Sequence, residues 1–536
     1  MENVKNNFQK NNQNNNEDYL LKLNVPRIFV VFILVMGVFM CLLDTTIVDI
    51  TIPHMMSALG ADYDSIQWVV ISYMVSSAVA MPLAPWVAKK IGLKNTYILG
   101  LILFTVMSAL CGLAPNLELM LVARTFQGFA EGLLVPTALS ILYNIYPPDQ
   151  KGVAAGTFAI GAVTGPALGP TLGGYINEHL NWRWIFYINV PVGILASYLT
   201  YLFIDEIRKK VKEKLSFDFI GALTFSISIS AFLIALSKGN KWEWTSLKTL
   251  TFFLISYIFG ILFFIWEILQ IKKNKPVFIN LKLFIEYPNF TLGTLSFMFF
   301  GMSTYAVFFV LPLLLEKLLK FPTLTAGEIL FYPALASGVG SSLAGILGDK
   351  YKLHREFLII STIGVTIGTY MLTNITLEST KWQIVSLLLP WGFFMGMFFT
   401  NLTPISLATF HGENLKEPNA IQNLIRLVGG SIGTAVATTY FTRMHIHHFR
   451  YLNEFVDPSK SIYNHLYFKM KMLFGALATK LSKVALYFEI NKKAYLFSFW
   501  DVFILSAFFA AITFILVLIL AYVTRNLEVK SSVGGE

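Results

Sequence analysis

Apolar runs longer than about 18 residues recur along the whole chain, and a run of that length is a membrane-crossing helix before it is anything else. In a bilayer every backbone amide must find its partner within the protein, so a chain of such runs is left with helices. Composition agrees: of 536 residues, 55% are hydrophobic and 13% charged, with a mean hydropathy of +0.62. The expected fold class is an all-α polytopic membrane protein. A net charge of +10 invites a nucleic-acid partner, but the basic residues sit in short loops between apolar runs and report topology instead. Cys41 and Cys111 both lie in apolar runs, which leaves no disulfide framework and no metal-ligand spacing. No cofactor or metal is expected. The Asn-rich first 24 residues lack the h-region and cleavage site of a signal peptide, so 1–26 reads as a disordered cytoplasmic arm.

Fourteen spans follow from hydropathy: 28–53, 66–88, 95–114, 117–144, 152–176, 184–204, 217–237, 249–270, 290–316, 325–348, 356–375, 383–406, 420–441 and 500–524. An even number returns both termini to one side. Loops on that side hold Lys89, Lys90, Lys94, Lys151, Arg208, Lys209, Lys210, Lys272, Lys273, Lys350, Lys352 and Arg355, far more basic residues than the short loops opposite. The positive-inside rule then makes that side the cytoplasm. A weak repeat relates PLAPWVAKKIGLKN (82–95) to SLAGILGDKYKLHR (342–355). Counting from these loops gives six spans, two inserted and six more: an N-terminal bundle at 27–204, a linker and insertion at 205–289, a C-terminal bundle at 290–525 and a tail at 526–536.

One connection is too long for a turn. Residues 442–499 fall on the outer side, and within them Leu466, Met470, Phe474, Leu477, Leu481 and Val484 keep helical spacing. That spacing predicts an amphipathic helix outside the membrane, lying in the headgroup layer or docking on a partner protein. His445, His447 and His448 lack the Cys or carboxylate companions of a metal site.

GAVTGPALGPTLGG (161–174) is dense in helix-breaking residues yet sits inside an uncharged apolar run. Gly161, Gly165, Gly169 and Gly173 recur every fourth residue and make one side-chain-free face, while Pro166 and Pro170 favour a kink. Charges inside the spans are rarer still. Each costs on the order of 3 kcal/mol near the bilayer centre, so each needs a partner or a role. Taking 1.5 Å per residue, Asp44 in span one lies about 6 Å to the outer side of the midplane and Arg124 in span four roughly 10 Å. Their depths nearly match, so the two form either a structural ion pair or a proton-exchanging one. Arg124, Gln127 and Glu131 share one stripe of span four, with Glu131 near the midplane, as a proton carrier, a cation site or a protonated packing residue. Asp49 lies near the outer surface and reads as structural. Arg426, near the cytoplasmic end of span thirteen, reads as a snorkelling side chain.

Together these stretches resemble the fourteen-span drug:proton antiporters of the major facilitator superfamily, the EmrB/QacA type. LDTTIVDITIP (43–53) is similar to that family's first-span motif, with Asp44 on its acid and Asp49 in place of its usual Asn. LVARTFQGFAEGLLVP (121–136) places Arg124, Gln127 and Gly128 on the span-four motif. GAVTGPALGPTLGG matches the span-five antiporter motif through Gly161, Gly165, Pro166, Gly169, Pro170, Gly173 and Gly174. NWRWIFYINVPVG (181–193), EPNAIQNLIRLVGGSIGTAV (417–436) and AYLFSFWDVF (494–503) resemble the entry to span six and the last two spans. In the loop after span two the family's first Gly is Pro85 and its acid is Lys89, leaving Lys90 and Gly92. The loop after span ten keeps Gly345, Asp349 and Lys350, where a gating ion pair is to be sought. Glu131 stands where the family has a small residue.

The resemblance implies the major facilitator fold, alternating access, a cavity between spans one and four, and a span-five motif holding the two bundles together. The implied activity is proton-coupled export of amphipathic, often cationic small molecules, with Asp44 and Arg124 coupling protons and Asp44 and Gln127 lining the cavity; the midplane depth of Glu131, not the resemblance, adds it to both sets. Export of one physiological metabolite, such as a siderophore, peptide or lipid-like acid, is the alternative within this class. A non-transporting sensor or scaffold has no need of a midplane carboxylate, and an enzyme needs a nucleophile–base set or phosphate loop that the chain lacks. The outer helical loop also suits a periplasmic adaptor and outer-membrane channel.

Overall fold

Helix caps are written into the loops. Asn116 accepts the Leu119 N–H at 3.0 Å, Asp218 accepts the Gly221 N–H at 3.0 Å, and Thr380 with Gln383 forms a reciprocal capping box. In the computed structural model, which describes residues 19–208, 216–410, 412–454, 468, 471–472 and 478–533, these caps start three of fifteen principal helices. They are α1 (Arg27–Leu59), α2 (Trp68–Ala80), α3 (Ala84–Ile91), α4 (Leu93–Leu113), α5 (Leu117–Ile145), α6 (Lys151–His179), α7 (Asn189–Phe203), α8 (Phe219–Trp242) and α9 (Leu247–Lys272). The remainder are α10 (Pro288–Leu313), α11 (Thr323–Tyr351), α12 (His354–Met371), α13 (Lys381–Ser406), α14 (Lys416–Glu454) and α15 (Ala478–Val533).

Among the described residues, 12 helices are long and apolar enough to cross a membrane, α2 and α3 together making one of them, and the kinked α6 is a thirteenth. The remaining expected span, 420–441, lies on α14, whose early turns carry Gln422, Asn423 and Arg426 and so dilute its apolar character. Fourteen crossings are consistent with this arrangement. Within the first group α1 packs on α6, α2 on α5, and α4 on both α5 and α7. In the last group α11 packs on α13, α10 on α14 and α15, and α12 on α13 and α15. The groups meet where α6 lies along α11 and α13, and where α8 lies between α2 and α14.

Helix α6 bends by 40° between Lys151–Pro166 and Leu168–His179. Pro170 has no N–H, which frees the Pro166 carbonyl, and the Thr46 hydroxyl of α1 donates to it at 3.0 Å. The glycine stripe is the face turned to α1. A Cβ on Gly161 would lie 3.1 Å from the Val35 carbonyl, on Gly165 3.0 Å from the Leu43 nitrogen, and on Gly173 2.8 Å from the Ile47 carbonyl. Its four glycines close a joint within one group. Contact with α11 of the other group comes from other positions, of which Thr171 and Gly174 belong to the same 161–174 motif and Gly152 and Gly156 precede it.

Two further expectations change. Residues 19–26 are not a disordered arm, because Tyr19–Leu23 pairs antiparallel with Ile204–Arg208 in a two-stranded sheet and the Asn24 amide donates to Asp205 at 2.7 Å. The linker supplies the backbone partners that the arm alone lacks. Residues 1–18 lie outside the described residues, as does the side chain of Asp49.

The long connection expected at 442–499 is also helix where it is described. At 39 and 56 residues, α14 and α15 are about 58 and 84 Å long, well beyond a hydrocarbon core of about 30 Å. Past the core they pair antiparallel as a hairpin. His445 stacks on Tyr495 at 3.9 Å and faces Asn491 at 3.0 Å, His448 pairs with Asp501 at 2.6 Å, and Phe449 and Leu452 pack against Leu486 and Ile490. Polar residues that read as a loop satisfy one another across two helices. Of the expected amphipathic helix, Leu481 and Val484 lie on α15, whereas Leu466, Met470, Phe474 and Leu477 lie outside the described residues.

Candidate functional site

The Asp44 carboxylate on α1 is fully buried and is the acceptor around which two other helices place donors. Arg124 of α5 pairs with its Oδ2, Gln127 Nε2 donates to Oδ1 at 3.2 Å, and Asn189 Nδ2 of α7 donates to Oδ1 at 2.8 Å. Arg124 also donates from Nε to the Val69 carbonyl at 3.0 Å and from Nη1 to the Gln127 Oε1 at 3.0 Å, and its guanidinium lies 4.1 Å from the centre of the Tyr73 ring. Asn189 also donates to Ser108 at 3.1 Å. The approach depends on glycine. A Cβ on Gly128 would lie 2.8 Å from the Tyr73 Cα, and one on Gly132 2.5 Å from the Ser77 carbonyl, so only bare backbone lets α2 reach α5. The result is a closed network: one anion, one cation and two amides with their hydrogen bonds made inside low-dielectric packing.

Sequence reasoning did not single out Asn189 or Tyr73. Asn189 stands alone in the apolar stretch IFYINVPVG, and a lone amide there was the available signal.

Glu131 occupies a different environment, one to two turns further along α5. It is buried on α5, the helix that α14 of the other group crosses, and Arg426 lies on that α14. Arg426 does not snorkel as expected from sequence. It is buried, with Nη2 donating to Asn423 Oδ1 at 3.3 Å and its guanidinium 5.4 Å from the Phe399 ring centre. The cause is the anchoring of the first turns of α14: Asn419 donates to the Pro136 carbonyl of α5 at 2.8 Å and to Ser140 at 3.2 Å, while Gln422 donates to Ser406 at 2.7 Å. These contacts leave Arg426 inside. It lines two adjoining cavities between the groups, walled by Phe158, Phe297, Phe300 and Phe399.

A third cluster lies at the end opposite the α14–α15 hairpin. Asp349 of α11 caps α6 across the groups, accepting from the Gly152 and Val153 amides at 2.9 and 2.7 Å. His354 faces Asp349 at 2.9 Å and Asn401 of α13 at 2.8 Å. A Cβ on Gly345 would lie 2.8 Å from the Gly152 carbonyl, so this glycine admits the contact. Lys350 lies over Tyr351 and stays out of the latch. In the earlier loop Gly92 takes φ 94° between α3 and α4, and the exposed Lys90 lies over Trp86 at 5.0 Å. That loop brings no acid to the opposite group.

Comparison with known proteins agrees with this architecture. The profile described as Major Facilitator Superfamily matches residues 34–434. The chain is 30% identical over 419 residues to Multidrug resistance protein 3 of Bacillus subtilis (strain 168), across 78% of this chain and 80% of that protein. It is 28% identical over 429 residues to Multidrug export protein EmrB of Escherichia coli (strain K12), across 79% and 82%. Against Fatty acid resistance protein FarB of Neisseria gonorrhoeae it is 29% identical over 430 residues, across 80% and 83%. With a profile covering well over half its length and relatives matched along most of theirs, the chain belongs to the Major Facilitator Superfamily.

Proposed function

We propose that this multi-pass membrane transporter is a proton-coupled multidrug exporter, with the Asp44 carboxylate as its principal proton carrier. The observation that carries the proposal is the Asp44 network: a fully buried carboxylate whose partners come from α5 and α7. Protonating Asp44 removes the charge that holds Arg124, so the network has two arrangements that proton occupancy selects between. A proton moving through 100 mV provides about 2.3 kcal/mol, enough to bias a carrier between its two facings. The relatives named for multidrug export and multidrug resistance support small-molecule export.

The bundles at 27–204 and 290–525 rock about the α6–α11 contact, with 205–289 inserted between them. The basic loops support a cytoplasmic side for both termini and for the Asp349 latch. Asp349, backed by His354, holds the cytoplasmic end shut and must release for substrate to enter. The α14–α15 hairpin then projects outward, where it is long enough to engage a periplasmic adaptor that leads to an outer-membrane channel.

The test is proton flux and ethidium efflux in proteoliposomes. Asp44→Asn abolishes both while the protein still inserts; wild-type efflux in that variant sinks the proposal. Co-purification with the hairpin intact and shortened decides the adaptor.

A further inference from the structure

We propose that Arg426 and Glu131 are the two ends of one substrate site, built for an amphipathic zwitterion whose carboxylate sits on Arg426 and whose amine sits on Glu131. The inference rests on the exporter reading and adds to it the charge pattern of the substrate.

Arg426 is a buried cation whose protein partner is a neutral amide oxygen, Asn423 Oδ1 at 3.3 Å. It makes no ion pair among the described residues. A guanidinium has five N–H donors in a fork that fits a carboxylate, and a buried charge is stable only when it is paired. Glu131 is the buried acid of α5, the helix to which Asn419 ties α14 two turns before Arg426, and the two charges make no ion pair among the described residues. Tyr305 of α10 lines the second cavity beside Arg426. The two charges therefore stand on opposite halves of the molecule with a gap between them, and the cavities beside Arg426 are walled by Phe297, Phe300 and Phe399. The cavities are small, so a substrate that reaches Arg426 requires α5 and α14 to part.

Charge decides what fits. A cation alone meets Arg426, an anion alone meets Glu131, and a molecule with both satisfies each end while its apolar body covers the aromatic wall. The amine and a proton compete for the Glu131 carboxylate, which is the relation that exchange of substrate against protons requires.

The experiment uses full-length protein in nanodiscs and three molecules on one scaffold: a fluoroquinolone with free amine and carboxylate, its methyl ester and its N-acetyl derivative. The parent binds roughly tenfold or more tightly than either derivative, the difference a buried charge-assisted contact makes. Arg426→Gln lowers the parent-to-ester ratio by roughly tenfold, and Arg426→Lys, which keeps the charge, retains most of it. Glu131→Gln erases the preference over the N-acetyl derivative alone. Each readout is a ratio on one preparation, so loss of folded protein cancels. Equal binding of ester and parent, an unchanged ratio in Arg426→Gln, stronger binding of the N-acetyl derivative, or no binding of the parent overturns the proposal. Ethidium efflux that depends on Asp44, measured in parallel, separates the two levels: if it persists while the charge series fails, only the zwitterion site falls.

Discussion

Arg124 and Arg426 are both buried guanidinium groups in one helical protein, and they are held in opposite ways. Arg124 has a carboxylate, two oxygen acceptors and an aromatic face within contact. Arg426 has one amide oxygen and a more distant ring. Three protein acceptors, one of them a carboxylate, take donors of the first group, so its charge belongs to the fold. The second group's donors are mostly left over, so its charge is available to something that arrives. Burial alone does not tell a structural charge from a functional one; the count of satisfied donors does.

Breaking the satisfied network is expected to have the largest effect. Arg124→Gln orphans Asp44 and lowers stability by about 3–5 kcal/mol, read as a drop in melting temperature in detergent, whereas Arg426→Gln strands no carboxylate and lowers it by under about 1 kcal/mol. Equal losses would erase the distinction between the two arginines. Next in size is Gly165→Leu, which forces a side chain into the α1 backbone where a bare Cβ already lies 3.1 Å from the Phe39 carbonyl. It costs about 1–3 kcal/mol and slows efflux while Asp44-dependent proton binding, followed by infrared titration, persists. Asp349→Ala removes the cap on α6 and costs about 1 kcal/mol, read as faster thiol labelling of a Ser341→Cys probe from the latch end. Smallest is His448→Gln on the α14–α15 hairpin, a partly buried pair worth about 1 kcal/mol or less. Its effect on melting temperature should be barely resolvable, in contrast to Arg124→Gln.

Much of the helix layout was legible because the membrane leaves the sequence few options: apolar runs mark spans and lone charges mark depth. Depth arithmetic alone set Asp44 beside Arg124, and the two are in contact. What depth cannot supply is azimuth. Arg426 lies near a span end, where snorkelling is the ordinary outcome, and only the anchoring of Asn419 on Pro136 keeps it inside. The same blindness applied to the glycine stripe, whose spacing announces close packing without saying which helix is packed. The hairpin was misread for a further reason. Its residues are polar enough for a loop, and two helices that satisfy each other's polar faces leave little trace in hydropathy.

The hydrogen bond from Thr46 to the Pro166 carbonyl ties the bend of α6 to α1 two residues from Asp44. The bend is thus held at a joint: α1 grips α6 at its elbow, and the arms of α6 on either side of the elbow reach α11 at Gly152 and Gly174. The grip is more than one hydroxyl, since α1 backbone also lies against Gly161, Gly165 and Gly173, so α1 and the elbow of α6 form one closely packed unit. On the proposed proton coupling, any displacement of α1 would be carried to α11 through both arms of α6 together.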